Sequence, residues 1–527
     1  MEPDGIHSTK YRLAAIAQAD RLVSALQRTS TTTATRLEHV IGVITDQDTL
    51  TGLAKTTSPA GRVTVQFADV LLERMSHGVL PVIPNIGYTT STQKAVHVEA
   101  DDMILALTRA FASHGHDSGT AVNPTAASIS HDETHPAACR VTIDRIIILD
   151  PLGGIPSVSR ADKPHIFINL SQEYDDIRNE LTSPFVKSGA AEQVSEAAAS
   201  MVTEMRDQTP ETKTDNGGLS SVAHPIADTI HSSNLTRHLQ NLNLIQQALS
   251  ILPASSSAML TTPLEAATPS EPKSTDLGVG TRRPKNPLIY NLLTDKPLIS
   301  SSLPIARLHP GANPLTASRG ATLVKKGMPL TMIPDPRTHA WVPPSSVHPA
   351  LQLDGHAGID FPRLVSLIED SFARPLDAQH YLARIAGRLA GVIVAGAYEG
   401  GAILTWELPP GVPDDGSDSS RTRMVPYLDK FAVRRRSQGA GGVADVVFTA
   451  MVRTCFPLGV CWRSRKTNPV NKWYFERSVG THKIPDSTWT MFWTDTDIMR
   501  DRQRWLDYEA VCRSVQPSWA DNKSVMD

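Results

Sequence analysis

One segment near the carboxyl end of the chain constrains the fold most: a strand pattern, a glycine-rich turn and a helix pattern follow one another. The strand pattern covers 427–433, the turn covers 436–442, and apolar residues at helical spacing continue from Val443 to Cys455. Glycines allow backbone N–H groups to approach a ligand closely, and the N-terminus of a helix carries partial positive charge. We therefore expect an α/β domain in which this turn binds a phosphate group.

Three kinds of phosphate-binding loop share this arrangement, and the residues distinguish them. A dinucleotide-binding loop needs a third glycine where this chain has Ala444, and an acidic residue about 20 positions later, whereas 446–475 contains no Asp or Glu. A Walker loop needs Gly-Lys followed by Ser or Thr, which this turn lacks. The acetyl-CoA pyrophosphate loop, R/Q-x-x-G-x-G/A, matches at Arg436, Gly439 and Gly441. The turn is therefore predicted to bind acetyl-CoA.

Length and composition limit the class of protein. A chain of 527 residues predicts about three domains, or two large ones with linkers. The formal net charge is only −3, so the chain lacks the large excess of positive charge that is typical of proteins that bind nucleic acids or membrane surfaces. Four cysteines suggest a reducing compartment, and the apolar run 389–397 is too short to span a membrane. The start of the chain shows no secretory or organellar leader, so at face value the sequence predicts a soluble intracellular protein.

The aromatic residues are distributed unevenly along the chain. All eight Trp residues lie at or after Trp341, and no Phe, Tyr or Trp lies between Phe185 and Tyr290. Because aromatic side chains bury the most surface, the densest core is predicted in the last third of the chain. Flexible polar insertions are predicted near 113–140, 186–233 and 262–280.

Hydrophobic periodicity predicts alternating helices and strands, which favours α/β layered domains. The predicted helices of the first part are 12–27, 70–75 with Asp69 as its N-cap, 100–111 and 235–252. Its predicted strands are 63–67, 79–84 and 146–149, the last buried on both faces, with a closing hairpin across 321–333 around Lys326 and Gly327. After Phe361 the predicted helices are 361–372, 381–389 and 472–478, and the further strands are 391–397, 402–408 and 461–464.

Several blocks of sequence resemble the N-acetylglutamate synthase family. The blocks that resemble its acetyltransferase domain are YLDKF at 427–431, RSQGAG at 436–441, WRSRKTNPVN at 462–471 and WYF at 473–475. GAILTWE at 401–407 and WTMFW at 489–493 are similar to the fungal mitochondrial form. Blocks at 82–87, 100–102 and 148–154 resemble the divergent amino-acid-kinase domain of the same enzymes.

The resemblance implies a fold class: a partial amino-acid-kinase-like α/β sandwich followed by a GNAT-type acetyltransferase α/β domain. The predicted boundaries are 1–340 for the kinase-like regulatory domain, 345–510 for the acetyltransferase domain and 511–527 for a tail. Because no strand and glycine-rich loop precede Tyr11, we expect the first domain to be truncated at its start. The resemblance also implies a mitochondrial matrix location, although no transit peptide is visible.

The family's activity is direct transfer of acetyl from acetyl-CoA to the α-amine of L-glutamate, without an acyl-enzyme, at the entry to arginine biosynthesis. A substrate with two carboxylates requires cations, and Arg offers bidentate contacts. The positions that the resemblance assigns to glutamate are Lys430, Arg463, Ser464 and Arg465, with Arg374 where the family often has Lys. The alternative interpretation, solvated surface cations, is preferred for Arg434, Arg435 and Lys466.

The resemblance also implies the catalytic and acetyl-CoA-binding residues. Tyr474, the implied general acid for the CoA thiolate, and Asn468 are the catalytic candidates; a packed core aromatic is the alternative for Tyr474. The implied acetyl-CoA positions are Phe431, Val433, Arg436, Gln438, Gly439, Gly441 and Gly442. The general base stays open between Glu407, Asp429 and a water chain. Cys455 and Cys461 fit a helix face and a strand start, and both are predicted to be structural.

Neither a metal nor a nucleic-acid or membrane partner is predicted. The spacing of the His and Cys residues at His114, His116, His131, His135 and Cys139 fits no zinc pattern. The partners that the resemblance implies are L-glutamate, L-arginine as an inhibitor, N-acetylglutamate kinase in a complex, and a second copy in a homo-oligomer. Two alternatives remain open: an acetyltransferase with another amine acceptor, and a non-catalytic regulatory subunit of the arginine pathway.

Overall fold

The computed structural model describes most of the chain, with gaps in several connecting segments. The described residues are 4–29, 32–45, 63–116, 141–158, 163–182, 223–267, 286–297, 300–304, 320–439 and 442–520. They fall into two compact units, one made of 1–147 with 212–258 and the other of 148–211 with 259–527. The predicted insertions lie for the greater part outside the described residues.

The elements before residue 300 are short strands between helices of varied length. In chain order they are α1 (Asp4–Arg28), β1 (Thr33–Arg36), β2 (Ile41–Val43), β3 (Val63–Val65), α2 (Ala68–Ser76), β4 (Val79–Val82), β5 (Ile86–Thr89), β6 (Ala95–His97), α3 (Ala100–His116), β7 (Arg145–Leu149), β8 (Phe167–Asn169), α4 (Leu170–Thr182), α5 (Ala223–Ile251), β9 (Ser257–Thr261), α6 (Pro263–Ala267) and α7 (Pro287–Thr294).

The elements after residue 300 include longer strands. They are β10 (Thr322–Lys325), β11 (Leu330–Ile333), α8 (Phe361–Phe372), α9 (Ala378–Ile385), β12 (Leu389–Ala395), β13 (Gly400–Glu407), α10 (Asp418–Arg423), β14 (Val425–Val433), α11 (Val443–Ala450), β15 (Cys461–Arg465), α12 (Asn471–Arg477), β16 (Gly480–Lys483), β17 (Trp489–Trp493) and α13 (Arg502–Ser514). A π-helical turn, Met451–Cys455, continues α11, and two 3₁₀ turns cover Arg435–Ser437 and Ile498–Arg500.

The first unit contains a four-stranded sheet of order β3-β2-β5-β6 and a parallel pair formed by β1 and β4. Its core includes Ile41 and Leu71, which are almost fully buried, together with Met103 from α3. Helices and strands alternate here as the sequence predicts, which gives an α/β unit.

The second unit is built on a seven-stranded sheet of order β11-β12-β13-β14-β15-β17-β16. Helices cover both of its faces. Val392 packs with α8 and α9, whereas its neighbour Ile393 packs with α11 on the opposite face. Helix α13 packs beside Val425 and Tyr427 of β14. The sheet is therefore the middle layer of a three-layer α/β arrangement, which confirms the predicted α/β fold class.

Strands β14 and β15 are the only neighbours in this sheet that run parallel, and they separate soon after they meet. Tyr427 lies opposite Cys461 as their single registered pair. Beyond it β14 continues to Val433 and β15 to Arg465 without further pairing. The backbone of β14 beyond Tyr427 therefore lacks a strand partner on the β15 side.

A β-bulge interrupts β14 where the two strands part. Its register against β13 moves from Leu404 opposite Leu428 to Ile403 opposite Lys430, so Asp429 is the extra residue. A bulge reverses the alternation of side chains along a strand. Phe431 accordingly packs with the α11 face, although Tyr427, four residues earlier, packs with the α13 face.

Most predicted elements after Phe361 are confirmed, and three of the predictions before it are wrong. Helix α8 begins and ends where the pattern predicts. The predicted hairpin across 321–333 does not form, because β10 pairs in parallel with β8 and β11 pairs with β12. Asp69 is not the N-cap of α2, since the helix starts one residue before it. Strand β7 is not buried on both faces: Ile147 and Leu149 are exposed.

Among the described residues, no helix is both long and apolar enough to cross a membrane.

Candidate active site

Two glycines of the turn before α11 have the backbone conformation and the open space that a phosphate-binding loop requires. Gly439 and Gly442 have φ values of +77° and +68°, a region that side chains other than that of glycine rarely adopt. A Cβ atom at either position would meet no atom within 4 Å. Ala440 and the predicted Gly441 lie outside the described residues. At both described glycines the space on the Cβ side is therefore open.

The N-terminus of α11 faces the same turn without a side-chain cap. Gly442 is the N-cap residue, and no side chain accepts a hydrogen bond from the first amides. Asp445 in the first turn would repel an anion, but Arg477 pairs with it at 2.8 Å and Ser302 donates to it at 2.6 Å. The negative charge of Asp445 is therefore compensated, and the N-terminus of α11 can accommodate an anionic ligand.

Arg436 and Gln438 fix the shape of the turn. Arg436 forms a two-pronged ion pair with Glu399 in the β12–β13 turn, and Ser437 Oγ donates to the same carboxylate at 2.7 Å. These hydrogen bonds lower the pKa of Glu399 from its usual value. Gln438 Nε2 donates to the carbonyl of Val433 at 3.0 Å. The Arg436 side chain is 73% exposed, so it remains within reach of a ligand.

Phe431 and Val433, the two residues of β14 predicted to bind acetyl-CoA, differ in the contacts that they already make within the protein. The ring of Phe431 stacks on Trp473 at 5.6 Å between centroids. Val433 has partners for both of its main-chain polar groups, because its N–H donates to Ser371 Oγ at 3.1 Å and its carbonyl accepts from Gln438. A pantetheine arm that paired with Val433 would have to replace those bonds.

Asp429 and Lys430, which the bulge places side by side, form the centre of a buried charged cluster. Lys430 Nζ donates to Asp429 Oδ2 at 2.9 Å, Tyr381 OH donates to the same carboxylate at 2.8 Å, and Arg384 pairs with its other oxygen. Burial opposes ionisation of Asp429, but Lys430 and Arg384 outweigh it and lower its pKa to about 2. Burial also lowers the pKa of Lys430, with Asp429 partly offsetting that effect.

Neither carboxylate considered as the general base is well suited to that role. A pKa of about 2 makes Asp429 too weak a base to take a proton from an ammonium group near neutral pH. Glu407 is almost fully buried and accepts hydrogen bonds from Arg384, Arg388 and Thr405. Of the three candidates, the water chain is the one that these contacts leave available.

The guanidinium group of Arg463 is tied to the end of α13. Its two terminal nitrogens donate to the main-chain carbonyls of Cys512 and Val515, and Trp489 lies 4.0 Å from its centre. The carbonyl of Val515 accepts from Arg463, and the ring of Trp519 lies 5.6 Å from Lys430 Nζ, so both cations contact the same stretch of chain. Two of the Arg463 N–H groups are already used.

Alternation along β15 divides the remaining predicted residues between the two faces of the sheet. Arg463 and Arg465 both lie near the ring of Trp489 on the α13 face. Ser464 points the other way, where its hydroxyl accepts from Asn468 Nδ2 at 3.0 Å. Near the point where β14 and β15 separate, the cations therefore lie on one face of the sheet and the Ser464–Asn468 pair lies on the other.

Tyr474 lies on the Ser464 face, in an aromatic cluster. Its ring contacts Trp462, Trp473 and Phe492 at centroid distances of 5.4–5.6 Å. Burial raises the pKa of its hydroxyl well above the usual value, so the phenol stays protonated at neutral pH. A buried phenol that keeps its proton is compatible with a hydrogen-bond donor to a leaving group.

The three cysteines that the structure describes offer no activated nucleophile. Cys455, Cys461 and Cys512 are buried, and burial raises the pKa of Cys455 to about 12. The described residues also contain no group of three His, Cys, Asp or Glu side chains that could hold a metal. Of the His and Cys residues considered for a metal, the side chains of His114 and His116 are not described, and His131, His135 and Cys139 lie outside the described residues.

Sequence patterns did not indicate three residues that complete this cluster. Tyr381 and Arg384 lie three residues apart in α9, and this helical spacing could have suggested that they share a face. Trp519 lies in the segment predicted as a tail, yet its ring is 5.6 Å from Lys430 Nζ and 5.0 Å from the guanidinium carbon of Arg374. A lone Trp in a polar terminus was the available signal for this contact.

Comparisons with known proteins agree with the sequence blocks. Residues 348–514 match a protein-family model described as the N-acetyltransferase of N-acetylglutamate synthase. A mitochondrial amino-acid acetyltransferase of Neosartorya fischeri is 48% identical in an alignment that covers 99% of this chain and 72% of that protein. The same-named protein of Ajellomyces capsulatus is 47% identical, covering 98% of this chain and 76% of that protein.

Similarity to solved structures is more distant. An N-acetylglutamate synthase from Neisseria gonorrhoeae, complexed with coenzyme A and N-acetyl-glutamate, matches 91% of this chain and 78% of its own chain. It is 10% identical, with a TM-score of 0.38. Membership of the family is shown by the sequence relatives, whose identity extends over nearly the whole chain. This chain belongs to the family of mitochondrial amino-acid acetyltransferases, as the resemblance of its sequence blocks predicts.

Proposed function

We propose that this protein transfers the acetyl group of acetyl-CoA to the α-amine of L-glutamate in the mitochondrial matrix, forming N-acetylglutamate and CoA for arginine biosynthesis. Two features carry the proposal: Gly439 and Gly442, before α11, have open space on their Cβ side, and the buried charged cluster that includes Lys430 lies where β14 and β15 part. The first suits a diphosphate and the second suits a dicarboxylate.

Acetyl-CoA would lie along the turn and the open side of β14. Backbone N–H groups of the turn and the first amides of α11 would bind the diphosphate, with Arg436 at the exposed edge. The acetyl-CoA site would comprise Phe431, Val433, Arg436, Gln438, Gly439, Gly441 and Gly442. Because β14 lacks a strand partner beyond Tyr427, a pantetheine arm could pair there in place of a strand.

L-Glutamate would bind on the α13 face of the sheet. Lys430 uses one N–H on Asp429 and keeps two for a carboxylate. Arg463 keeps its remaining N–H groups beside it, and Arg465 and Arg374 add positive charge at the edge. Ser464, on the opposite face, would contact the substrate only where the strands part.

The reaction would need no covalent enzyme intermediate. Water would carry a proton away from the substrate ammonium group, and the neutral amine would attack the thioester carbonyl carbon. As the carbon–sulfur bond breaks, Tyr474 would donate a proton to the leaving thiolate, while Asn468 holds Ser464 in place. Burial keeps the phenol protonated, so its hydroxyl is available to donate a hydrogen bond to the thiolate as it forms.

A direct assay tests the proposal. The full chain is mixed with acetyl-CoA and L-glutamate, free thiol is followed with a disulfide reagent, and the product is identified by mass spectrometry. We expect thiol release that depends on L-glutamate and a product of the mass of N-acetylglutamate. If another amine among the twenty amino acids has a higher kcat/KM, the acceptor is wrong; if no acceptor releases thiol while acetyl-CoA still binds, the activity is wrong.

Regulation and assembly follow from the resemblance and extend the proposal. L-Arginine would inhibit the reaction, and the chain would associate with N-acetylglutamate kinase and with further copies of itself. Adding L-arginine to the thiol assay tests the first statement. Light scattering of the purified chain, alone and with the kinase, tests the other two.

A further inference from the structure

The last residues of α13 and the segment that follows them contact three of the cations assigned to the acceptor. The carbonyls of Cys512 and Val515 accept hydrogen bonds from Arg463. The ring of Trp519 lies 5.6 Å from Lys430 Nζ and 5.0 Å from the guanidinium carbon of Arg374. One stretch of eight residues thus lies against cations from three separate parts of the fold.

Hydrogen bonds hold this segment in place. The N–H of Asp377 donates to the carbonyl of Ser518 at 3.0 Å, and the N–H of Ala520 donates to the carbonyl of Pro375 at the same distance. Ser518 is 2% exposed, and its hydroxyl is 2.9 Å from His380 Nδ1. Because these contacts lie on both sides of Trp519, the position of its ring is fixed relative to α8 and α9.

Lys430 is enclosed between two aromatic rings. Its Nζ lies 4.8 Å from the centre of the Tyr381 ring and 5.6 Å from that of Trp519. Aromatic faces attract a cation but accept no strong hydrogen bond, so they exclude water without satisfying the ammonium group. With water excluded, the two N–H groups not used by Asp429 would interact strongly with a carboxylate and only weakly with a neutral amide.

We propose that the segment 512–519 forms a wall of the acceptor pocket and that Trp519, set against Lys430 and Arg374, is a specificity-determining residue for an acceptor with a side-chain carboxylate. The inference rests on the proposed function, because it takes the acceptor to bind at Lys430. Trp519 acts by shielding Lys430 from water, so its loss should reduce the preference for glutamate over glutamine, its neutral isostere.

The experiment compares Trp519→Ala with Trp505→Ala in the full chain. Trp505 is a matched control, since it is a partly buried Trp of α13 that packs on His482 at 5.0 Å, away from Lys430. For each variant kcat/KM is measured with glutamate and with glutamine, and KM is measured for acetyl-CoA. Trp519→Phe keeps an aromatic face, and Ser518→Ala weakens the attachment of the segment.

We expect Trp519→Ala to lower the glutamate-to-glutamine ratio of kcat/KM about tenfold, with KM for acetyl-CoA changed less than about twofold. Trp519→Phe should restore most of the ratio, Ser518→Ala should lower it less, and Trp505→Ala should leave it unchanged. An unchanged ratio in Trp519→Ala, or equal losses with both acceptors, would overturn the inference. If Trp519→Ala does not fold, the inference is tested on Ser518→Ala, and an unchanged glutamate-to-glutamine ratio in that variant would overturn it.

Different results would contradict the proposed function and the role of Trp519. If the unmodified chain acetylates neither glutamate nor glutamine, the proposed function is wrong, and the role of Trp519 is wrong with it. If the unmodified chain prefers glutamate and Trp519→Ala keeps that preference, only the role of Trp519 is wrong.

Discussion

Asp429 and Lys430 show how a single extra residue creates a site. Neighbours in a regular strand point to opposite faces, yet these two side chains form an ion pair at 2.9 Å. The bulge at Asp429 removes the alternation and turns both toward α9, where Tyr381 and Arg384 complete the hydrogen bonds of the carboxylate. Lys430 is thereby held in a fixed position with two N–H groups unused by Asp429.

Asp429 should make stability depend on pH in the acid range. Its pKa is about 2 in the folded protein, against about 3.9 in an unfolded chain, so its contribution is present above about pH 4 and is lost as the pH falls toward 2. We expect Asp429→Asn to lower Tm by roughly 5 °C or more near pH 7, because Lys430 and Arg384 lose their counter-charge. Thermal melts between pH 7 and pH 2.5 should show this difference shrinking below about pH 4.

A surface carboxylate serves as the control for that series. Asp418 is 92% exposed and pairs with Arg421 across one turn of α10. Such a pair contributes little to stability, so Asp418→Asn should change Tm by less than about 2 °C at any pH. A Tm difference for Asp429→Asn that stays constant down to pH 2.5 would contradict the role given to its ionisation.

Tyr474 should affect turnover more than acetyl-CoA binding. Burial keeps its phenol protonated, and removal of the hydroxyl takes away the proposed donor for the thiolate while leaving the ring in its aromatic cluster. Steady-state kinetics of Tyr474→Phe should show kcat reduced roughly 10²-fold and KM for acetyl-CoA within about twofold. The control is Tyr508→Phe, a buried tyrosine of α13, which should keep its kcat. Equal losses in kcat and acetyl-CoA affinity for Tyr474→Phe would indicate packing instead.

At the scale of elements, the glycine turn and the N-terminus of α11 together form the proposed binding site for the diphosphate of acetyl-CoA. An alanine at Gly439 or Gly442 would have room for its Cβ but would pay about 1–2 kcal/mol for the positive φ, so the turn would relax away from the ligand. We expect Gly439→Ala and Gly442→Ala to raise KM for acetyl-CoA about tenfold and to leave KM for glutamate nearly unchanged. Initial rates at varied concentrations of each substrate measure both.

Gly411 provides a matched control for the two glycines. It has a φ of +84° and open space around its Cβ position, but it lies in the loop between β13 and α10. Gly411→Ala therefore carries the same backbone strain without touching the turn. If it raised KM for acetyl-CoA as much as Gly439→Ala does, the effect would be one of general strain and the phosphate-binding role would be lost.

The elements that local sequence determines were predictable, and those that depend on distant partners were not. The helix 361–372 has a proline in its first turn and an apolar face, and α8 has these bounds. The pattern at 321–333 was equally clear for two strands, yet β10 and β11 join different sheets, because their partners β8 and β12 are far away in sequence. Strand propensity identifies a strand but does not determine which other strand pairs with it.

The same limit applies to the site. The spacing of Gly439 from Arg436 reports a local turn, so the sequence was sufficient to predict it. The bulge at Asp429 leaves no mark in the pattern of β14, since it appears only in the register against β13. Trp519 meets Lys430 through a contact between residues 89 positions apart, which no local pattern contains.

At the scale of the molecule, the core of the seven-stranded sheet extends upstream of the residues that match the family model. Strand β11 is one of the two edge strands, with Leu330 opposite Ala395 and Ile333 opposite Val392. Trp341 lies so close over Gly391 that a Cβ there would be 2.3 Å from the indole ring. The predicted boundary at residue 345 would separate β11 and Trp341 from the sheet on which they pack.

Two fragments test where the folding unit begins. A fragment 328–527 keeps β11 and Trp341, whereas 345–527 exposes the edge of β12 and loses the burial of Trp341, Leu330 and Met332. Full burial of one such side chain stabilises by about 1.5–3 kcal/mol and partial burial by less, so we expect the shorter fragment to melt several degrees lower or to aggregate. Both fragments lack the contacts of Ser302 with Arg477 and Asp445, so that loss cancels in the comparison.

Calorimetry and size-exclusion chromatography measure the outcome, and Trp341→Ala in the longer fragment should reproduce part of the difference. Equal melting temperatures would place the boundary at 345, and β11 would then be an attachment to the acetyltransferase domain instead of a part of it.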